Sequence, residues 1–208
     1  ARPVSKQEIA KTPAAQAALQ KEWDRLRVAG CWDETKVREW GDVANEARKA
    51  GRTAHMGRVF ALCVEKGSEL PIGDPARKFK GRVVFQGNNV RDQKWDAAMF
   101  QDLGSAPASM EASKAADAYG MIRGHIIEQA DAVQAYIQAK LQGPATTWVM
   151  LPQDQWPTAW RNKYRTPVVP LLLALYGHPD SGGYWEQHCE TQLRSVGFPP
   201  VPEWRSCF

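Results

Sequence analysis

Apolar residues recur at helical spacing near the start of the chain. Leu19, Trp23 and Leu26 fall at positions i, i+4 and i+7, so a helix places all three on one face. Thr12 followed by proline predicts where this helix begins, because a proline in the first turn has no hydrogen bond to lose. Gly30 predicts its end.

A second amphipathic helix is predicted after Asp33, a residue type favoured at helix N-caps, and it ends near Gly51. Its buried stripe contains Val37, Trp40, Ala44 and Ala47. The polar lead before both helices, residues 1–13, is predicted to be disordered or frayed.

Beyond residue 57 the pattern changes to β-rich runs separated by turn residues. The two runs are Arg58–Glu65 and Arg82–Gly87. Lys78, Lys80 and Arg82 are two residues apart, so on a strand they point to one face. A cationic face of this kind suits a phosphate-bearing ligand. The alternative interpretation is a solvated edge strand whose lysines prevent pairing with another chain.

The second half of the chain mixes helices with short strands. Residues 88–107 are predicted to form a loop, and a helix is predicted to begin at Ser109. A short strand is predicted at Trp148–Leu151, an apolar run follows at Val168–Tyr176, and a last helix ends at Gly197. This mixture predicts an α+β fold.

The stretch Ile126–Ile137 carries the main candidate chemistry. A short apolar run ends at Asp131, and Tyr136 stands five residues further on. An acid at the C-terminal end of a strand, with a ring just beyond it, suits metal-dependent nucleotidyl transfer. The carboxylate holds Mg²⁺ and the ring forms the floor of the nucleotide pocket. In the alternative interpretation, Asp131 caps an amphipathic helix with Gln134 as its capping-box partner, and Gly143 followed by proline stops that helix.

Composition narrows the class of protein without deciding it. An apolar content of 43% and nine tryptophans are enough for a core and argue against disorder. The net charge of +4 allows a polyanionic partner but does not require one. No apolar run is long enough to predict a membrane span. The chain begins with Ala-Arg-Pro-Val, which is neither a signal peptide nor a methionine start, and we interpret it as a fragment or a processed piece.

The cysteines are far apart in the sequence and form no Cys-x-x-Cys pair. They are Cys31, Cys63, Cys189 and Cys207. We expect reduced, mostly buried thiols of an intracellular protein, cytoplasmic or nuclear. His178 and His188 lie close to Cys189, but no second ligand pair at zinc spacing accompanies them, so a zinc site is not predicted.

Segments taken in order along the chain resemble motifs of the reverse transcriptases of copia-like retrotransposons. Trp23 with Cys31-Trp32 resembles the family's opening helix and Gly-x-Trp, and Phe79-Lys-Gly-Arg-Val-Val-Phe-Gln-Gly87 is similar to its Tyr-Lys-Ala-Arg-Leu-Val-Ala-x-Gly. Gln129-Ala-Asp131-Ala-Val-Gln-Ala-Tyr-Ile137 resembles Gln-x-Asp-Val-x-x-Ala-Phe-Leu, and Val149-Met-Leu-Pro152 resembles Tyr-Met-x-x-Pro. Ala174-Leu-Tyr-Gly177, with Trp185 and Gly197-Phe198, resembles Ala-Leu-Tyr-Gly-Leu-Lys-Gln-Ala-Pro-Arg-x-Trp and a closing Gly-Phe. The resemblance spans about residues 16–198.

This resemblance implies an RNA-directed DNA polymerase with a truncated right-hand fingers–palm core. Residues 14–208 would form one incomplete module. Its fingers would comprise about 14–107 and 145–175, and its partial palm about 108–144 and 176–208. The implied partners are an RNA or DNA template-primer, a deoxynucleoside triphosphate and the remainder of a polyprotein, namely the rest of the palm, the thumb and an RNase H domain.

The resemblance also implies roles for individual residues. Asp131 would be the catalytic ligand of Mg²⁺ or Mn²⁺, with the backbone carbonyl of Ala132 beside it, and Tyr136 would be the aromatic gate against a ribose 2′-OH. The remaining nucleotide-binding residues would be the triphosphate clamp Lys80 and Arg82, joined by Lys78, and a loop beneath the nascent base pair that contains Tyr176, Gly177 and Ser181.

Two departures from the family put activity in doubt. Asp180-Ser-Gly-Gly183 stands where the family has Gln-Ala-Pro-Arg, and the family's Tyr-x-Asp-Asp box has no counterpart, because no Asp-Asp pair occurs in the sequence. Two-metal phosphoryl transfer needs carboxylates from both motifs. We therefore expect the front portion of a polymerase that is inactive as this chain. The alternatives are a catalytically dead remnant, or an unrelated basic α+β module, that only binds nucleic acid.

Overall fold

In the described part of the chain, seven strands form one mixed sheet. The computed structural model describes residues 1–100 and 107–208. The strands are β1 (Arg2–Pro3), β2 (Arg38–Glu39), β3 (Ala54–Lys66), β4 (Lys78–Phe85), β5 (Arg91–Asp92), β6 (Thr146–Met150) and β7 (Pro167–Pro170). The helices are α1 (Lys6–Lys11), α2 (Pro13–Val28), α3 (Trp40–Lys49), α4 (Met110–Gly120) and α5 (Ser181–Ser195). The predicted α+β class is confirmed.

The thirteen-residue strand β3 is the centre of the sheet. β4 and β5 follow one another along one edge of β3, both antiparallel to it. β6 and β1 lie against the other edge, at opposite ends: β6 is parallel over Ala54–Arg58, and β1 is antiparallel at Val64 and Glu65. β7 and then β2 extend the sheet beyond β6. Residues 59–62 of β3 therefore have no partner strand on this second edge within the described chain.

Alternate residues of β3 face two different helices. Val59 packs with Trp23 and Leu26 of α2, in the main core, whereas Met56 packs with Trp40 in a smaller core under α3. Successive side chains of a strand point to opposite faces, so α2 and α3 cover opposite sides of the sheet. The α3 side is covered only at one end of β3, and further along the strand that face is open.

The helix predicted from Thr12 to Gly30 is confirmed as α2. It begins with proline and closes on Gly30, whose φ of +69° is the left-handed conformation expected of a helix-ending glycine. Asp33 does act as a cap, but it caps a 3₁₀ turn at Glu34–Lys36 through a bond from the Thr35 N–H, and α3 begins only at Trp40. Of the predicted stripe, Trp40, Ala44 and Ala47 are buried in α3, whereas Val37 precedes the helix and is partly buried.

The frayed state predicted for residues 1–13 is wrong. They form β1 and α1, with the Ser5 side chain capping α1 by accepting from the Glu8 N–H. Arg2 contacts the Glu65 carboxylate at 2.8 Å, and Arg77 approaches the same carboxylate at 2.6 Å. Glu65 is buried, and a buried carboxylate requires such partners. The polar sequence of residues 1–13 did not indicate that Arg2 forms an ion pair with the distant Glu65.

The strand predicted to end at Asp131 does not form, and neither does the alternative helix capped by that residue. Residues 125–132 have no regular structure, and the next element is a 3₁₀ helix at Ala135–Gln138. Ile126 and Ile127 are 79% and 56% exposed. A strand needs a neighbour for its backbone groups, and no described strand pairs with this segment. The helix predicted from Ser109 forms as α4, with Ser109 as its N-cap.

The remaining predicted elements are placed with small shifts. The short strand after residue 145 is β6, and the apolar run after Pro167 is a strand only as far as Pro170. The predicted loop after residue 87 contains β5, and its residues 101–106 lie outside the described chain. No described helix is both long and apolar enough to cross a membrane.

Candidate nucleotide-binding surface

A cationic and partly apolar face lies on the β3–β4 hairpin, where α3 no longer covers the sheet. Lys78, Lys80 and Arg82 are all exposed and share one face of β4, as their spacing predicted. Arg82 is paired with Leu62 of β3, and Phe60 lies one pair further along the same face. Phe60 and Leu62 are 39% and 48% exposed. Positively charged side chains therefore lie beside exposed apolar ones. We call the surface formed by Lys78, Lys80, Arg82, Phe60 and Leu62 the hairpin face.

At its β4 end the hairpin face meets two tyrosines that are distant in sequence. The Arg82 guanidinium carbon lies 5.8 Å from the centre of the Tyr176 ring. Tyr176 in turn contacts Tyr136 edge to face, with ring centres 4.5 Å apart. A guanidinium over a ring and an edge-to-face ring pair are both favourable contacts. Three predicted site residues from three segments therefore form one row.

The position of Tyr176 is fixed by a close crossing of two backbones. The Phe85 N–H, at the end of β4, donates to the Tyr176 carbonyl at 2.7 Å. Gly177 follows with φ of +87°, and a side chain there would meet the Phe85 carbonyl oxygen. Gly87 is equally confined, because a side chain there would meet the Gly177 carbonyl oxygen. Gly177 therefore has a structural role in the predicted loop, because it lets Tyr176 reach Arg82.

Ser181, predicted as part of the same loop, is the first residue of α5, and its side chain does not face the row of rings. It is buried, and its hydroxyl donates to the Leu175 carbonyl at 2.8 Å, closing the turn before α5. The neighbouring Asp180 is also buried, and burial raises the pKa of its carboxyl group. Oδ1 of Asp180 has no hydrogen-bond partner in the described structure. In the motif that this segment resembles, the corresponding residue is glutamine, so this chain has a buried acid where that motif has a neutral side chain.

Asp131 and Ala132, the predicted metal ligands, lie in the exposed segment before the 3₁₀ helix. Among residues 1–100 and 107–208, no three His, Cys, Asp or Glu side chains are grouped in a way that could hold a metal ion. A lone carboxylate with a neighbouring carbonyl can contribute two oxygens to Mg²⁺ that is otherwise held by water and phosphates. It does not make a two-metal site, and we derive no step through a metal here.

Beneath the loop, a pair of buried histidines was not predicted from the sequence. His178 accepts the Asp180 N–H on Nδ1 at 3.2 Å, so the neutral ring carries its proton on Nε2, which donates to Thr147 Oγ1 at 3.2 Å. Burial, and then the neighbouring His55, lower the pKa of His178 to about 4. Burial also lowers the pKa of His55. Both rings pack on Phe100.

A groove of about 800 Å³ adjoins the hairpin face at the gap in the second edge of β3. Its cationic lining residues are Lys6, Arg58 and Arg165, set against the single acid Asp154. Phe60 lines both the groove and the hairpin face, so the two surfaces are continuous. Sequence reasoning missed these cations. The signal that could have found Arg58 is its alternation with Phe60 and Leu62, which places an arginine beside two exposed apolar residues.

The structure thus brings Tyr176 into contact with both Arg82 and Tyr136, and it places Lys78 and Lys80 on the same face as Arg82. No protein-family model, curated protein or solved structure matches the chain. The hairpin face and the groove, together with the motif resemblance, are therefore the features that indicate a function.

Proposed function

We propose that this chain is the front portion of a copia-like reverse transcriptase, the part that receives a deoxynucleoside triphosphate and a nucleic-acid strand. One observation carries the proposal: Arg82, Tyr176 and Tyr136, which the resemblance assigns to nucleotide binding from three separate segments, lie in one continuous row. Ordinary core packing does not require an arginine and two tyrosines to meet at a partly exposed surface.

The chemistry of the row suits a nucleotide. Lys80 and Arg82 offer charged donors for phosphate oxygens, with Lys78 further along the strand. Tyr176 is 45% exposed and presents part of its ring to solvent, as a surface for a base or sugar. Tyr136, beside it, is half-buried and is proposed to lie under the sugar.

The groove suits the strand that pairs with the nucleotide. Its cations attract a phosphate backbone, and aromatic residues such as Phe60 and Trp156 offer stacking surfaces for bases. Its length along β3 runs from β6 towards β1, and it opens onto the hairpin face at Phe60. We infer that a single strand follows this groove and reaches the nucleotide at the hairpin face.

Replacing Lys78, Lys80 and Arg82 together by alanine is expected to weaken binding of a single-stranded oligonucleotide and to flatten its salt dependence. Each lost phosphate contact should reduce the slope of log K against log salt by about 0.7, because fewer counterions are released. Fluorescence anisotropy between 50 and 300 mM salt, as rough working limits, measures the slope.

The matched control replaces three exposed lysines on α2, α3 and α4, namely Lys21, Lys49 and Lys114. It removes the same charge away from the hairpin face, and we expect its slope to stay close to that of the unaltered protein. Equal slopes for the two triple variants would mean that the hairpin face is only a solvated edge, as in the alternative interpretation.

The chain itself is expected to have no templated polymerase activity. It contains Asp131 but no Asp-Asp pair, and a two-metal reaction needs carboxylates from both motifs. Primer extension with Mg²⁺ or Mn²⁺ measures this. Incorporation that depends on the template and is abolished by Asp131→Asn would contradict the expectation. Retained binding without extension fits both the proposed fragment and a remnant that only binds nucleic acid.

A further inference from the structure

Gln134 holds a backbone conformation that glutamine rarely adopts. Its φ and ψ of +58° and +40° lie in the left-handed region, immediately before the 3₁₀ helix that carries Tyr136. For a residue with a side chain this conformation is unfavourable, and it persists only where surrounding contacts impose it. The segment before Gln134 supplies few such contacts, because residues 121–133 are all exposed.

Two contacts hold this turn: the Gln138 side chain donates to the Val133 carbonyl at 2.7 Å, and α2 holds the Gln134 side chain. With the Gln134 amide oxygen turned towards this helix, Arg25 donates to it from Nε at 2.7 Å and from Nη1 at 2.9 Å. The remaining nitrogen, Nη2, lies 2.6 Å from the Glu22 carboxylate one turn earlier on α2. A guanidinium is planar and rigid, so a double contact on one edge and an ion pair on the other fix its orientation.

We propose that Arg25 is a positioning residue for the nucleotide site. Arg25 touches none of Arg82, Tyr176 or Tyr136 in the contacts described above. It holds Gln134 in the left-handed conformation, and this turn directs the next residues so that Tyr136 meets Tyr176 edge to face. The inference deepens the proposed function, on which its nucleotide-binding part depends, and it assigns a role to a residue outside the family-like motifs.

We expect Arg25 to affect the orientation of Tyr136 more than the free energy of unfolding. Its side chain is 44% exposed and that of its partner Glu22 is 13% exposed, so we expect this partly solvated ion pair to contribute only modestly to the free energy of unfolding. The 3₁₀ helix has four residues and none of them is fully buried, although Tyr136 packs beside Tyr184 and Ile137 packs against the main core. The contacts at its two ends add to this packing. One end is anchored where Ala139 packs with Tyr184 of α5. Arg25 anchors the other.

The test compares Arg25→Met with Arg194→Met. Arg194 is a matched control, because it is an exposed helical arginine with a glutamate partner, Glu190, at 2.6 Å, and it lies on α5. Two quantities are measured by NMR: the ring-current shifts of selectively labelled Tyr136 and Tyr176, and the affinity for deoxyadenosine triphosphate with Mg²⁺. We expect Arg25→Met to lose the shifts and to weaken the affinity roughly threefold to tenfold, with at most a small decrease in melting temperature from the loss of the ion pair with Glu22. Arg194→Met should alter none of these.

A double-mutant cycle separates positioning from a general loss. Gln134→Ala should reproduce the effect of Arg25→Met, and adding Arg25→Met to it should have no further effect. Gln134→Glu, which keeps an acceptor for Arg25, should keep the ring-current shifts. Unchanged shifts in Arg25→Met would overturn the positioning role. Normal shifts with no nucleotide affinity in the unaltered protein would instead overturn the proposed function, and the shifts would still decide the role of Arg25.

Discussion

Replacing Gly177 by alanine is expected to reduce the free energy of unfolding by about 3 kcal/mol or more. The new methyl group would overlap the Phe85 carbonyl oxygen, and the φ of +87° is unfavourable for any residue with a side chain. Backbone atoms cannot rotate away as a side chain can, so the two chains would have to separate. The bond from the Phe85 N–H to the Tyr176 carbonyl would be lost with them.

Gly197→Ala is the matched control for this prediction. Gly197 ends α5 with φ of +95°, but no atom lies within 4 Å of the position a methyl group would take. Its substitution therefore carries the backbone strain alone, about 1–2 kcal/mol. Urea denaturation of both variants measures the difference. If the two alanine variants lose the same stability, the close crossing at Phe85 does not constrain the structure.

Gly177→Ala should also damage the surface that Tyr176 helps to form. Separation of the two backbones moves the Tyr176 ring away from Arg82 and Tyr136, so nucleotide affinity should fall even where the variant remains folded. Gly197→Ala should leave that affinity unchanged. The two variants thus connect one backbone crossing to both stability and binding.

Stability is expected to fall by about 3 kcal/mol between pH 6.5 and pH 4 because of His178. Its pKa in the folded protein is about 4, below the ordinary value for histidine, because the ring is buried. In this range the unfolded chain binds a proton that the folded protein does not, so acid favours unfolding. His55 acts in the same direction, since burial lowers its pKa as well. Urea denaturation at a series of pH values measures the slope.

His178→Gln removes this titration and should flatten the dependence on pH, although it lowers stability at neutral pH. His125→Gln, at an exposed position, is the control for loss of a histidine. Asp180 acts in the opposite sense: burial raises the pKa of its carboxyl group, so the folded protein takes up that proton more readily. An unchanged slope in His178→Gln would assign the acid sensitivity to other groups.

Local features of the fold could be predicted from the sequence where a regular residue spacing or a helix-start signal was sufficient. The two-residue spacing of Lys78, Lys80 and Arg82 predicted a shared strand face, and the hairpin has it. Thr12 followed by proline predicted the beginning of α2. Both signals depend on the backbone within one element, which distant contacts do not alter.

The failures arose where a distant partner decides the local structure. The apolar run before Asp131 reads as a strand, but a strand forms only beside another strand, and the sequence does not say whether one is present. Residues 1–13 read as frayed because their order depends on the buried Glu65, far along the chain. The secondary-structure propensity of a short segment does not depend on whether a neighbouring strand or a distant ion-pair partner is present.

The candidate site divides in the same way. The motif resemblance identified Arg82, Tyr136 and Tyr176 as candidate site residues. The activity that the resemblance implies stays a prediction. Their contact depends on the crossing at Gly177, which no spacing along the sequence expresses. Arg25 and the groove cations lie outside every motif, and only the assembled structure places them beside the site.

The parallel pairing of β3 with β6 joins two parts of the chain in one sheet. The segment between these parts includes residues 121–133, which are all exposed. Five residue pairs align Ala54–Arg58 with Thr146–Met150, and Arg27 of α2 adds a bond to the Gln155 carbonyl at 2.8 Å. Residues 121–133 bury almost nothing. Residues 121–133 are therefore a linker between the two parts of the chain that the sheet joins. Doubling the length of this linker would cost only about 0.6 kcal/mol in loop entropy. We therefore expect the fold to tolerate insertions within residues 121–130, which precede the candidate ligands Asp131 and Ala132.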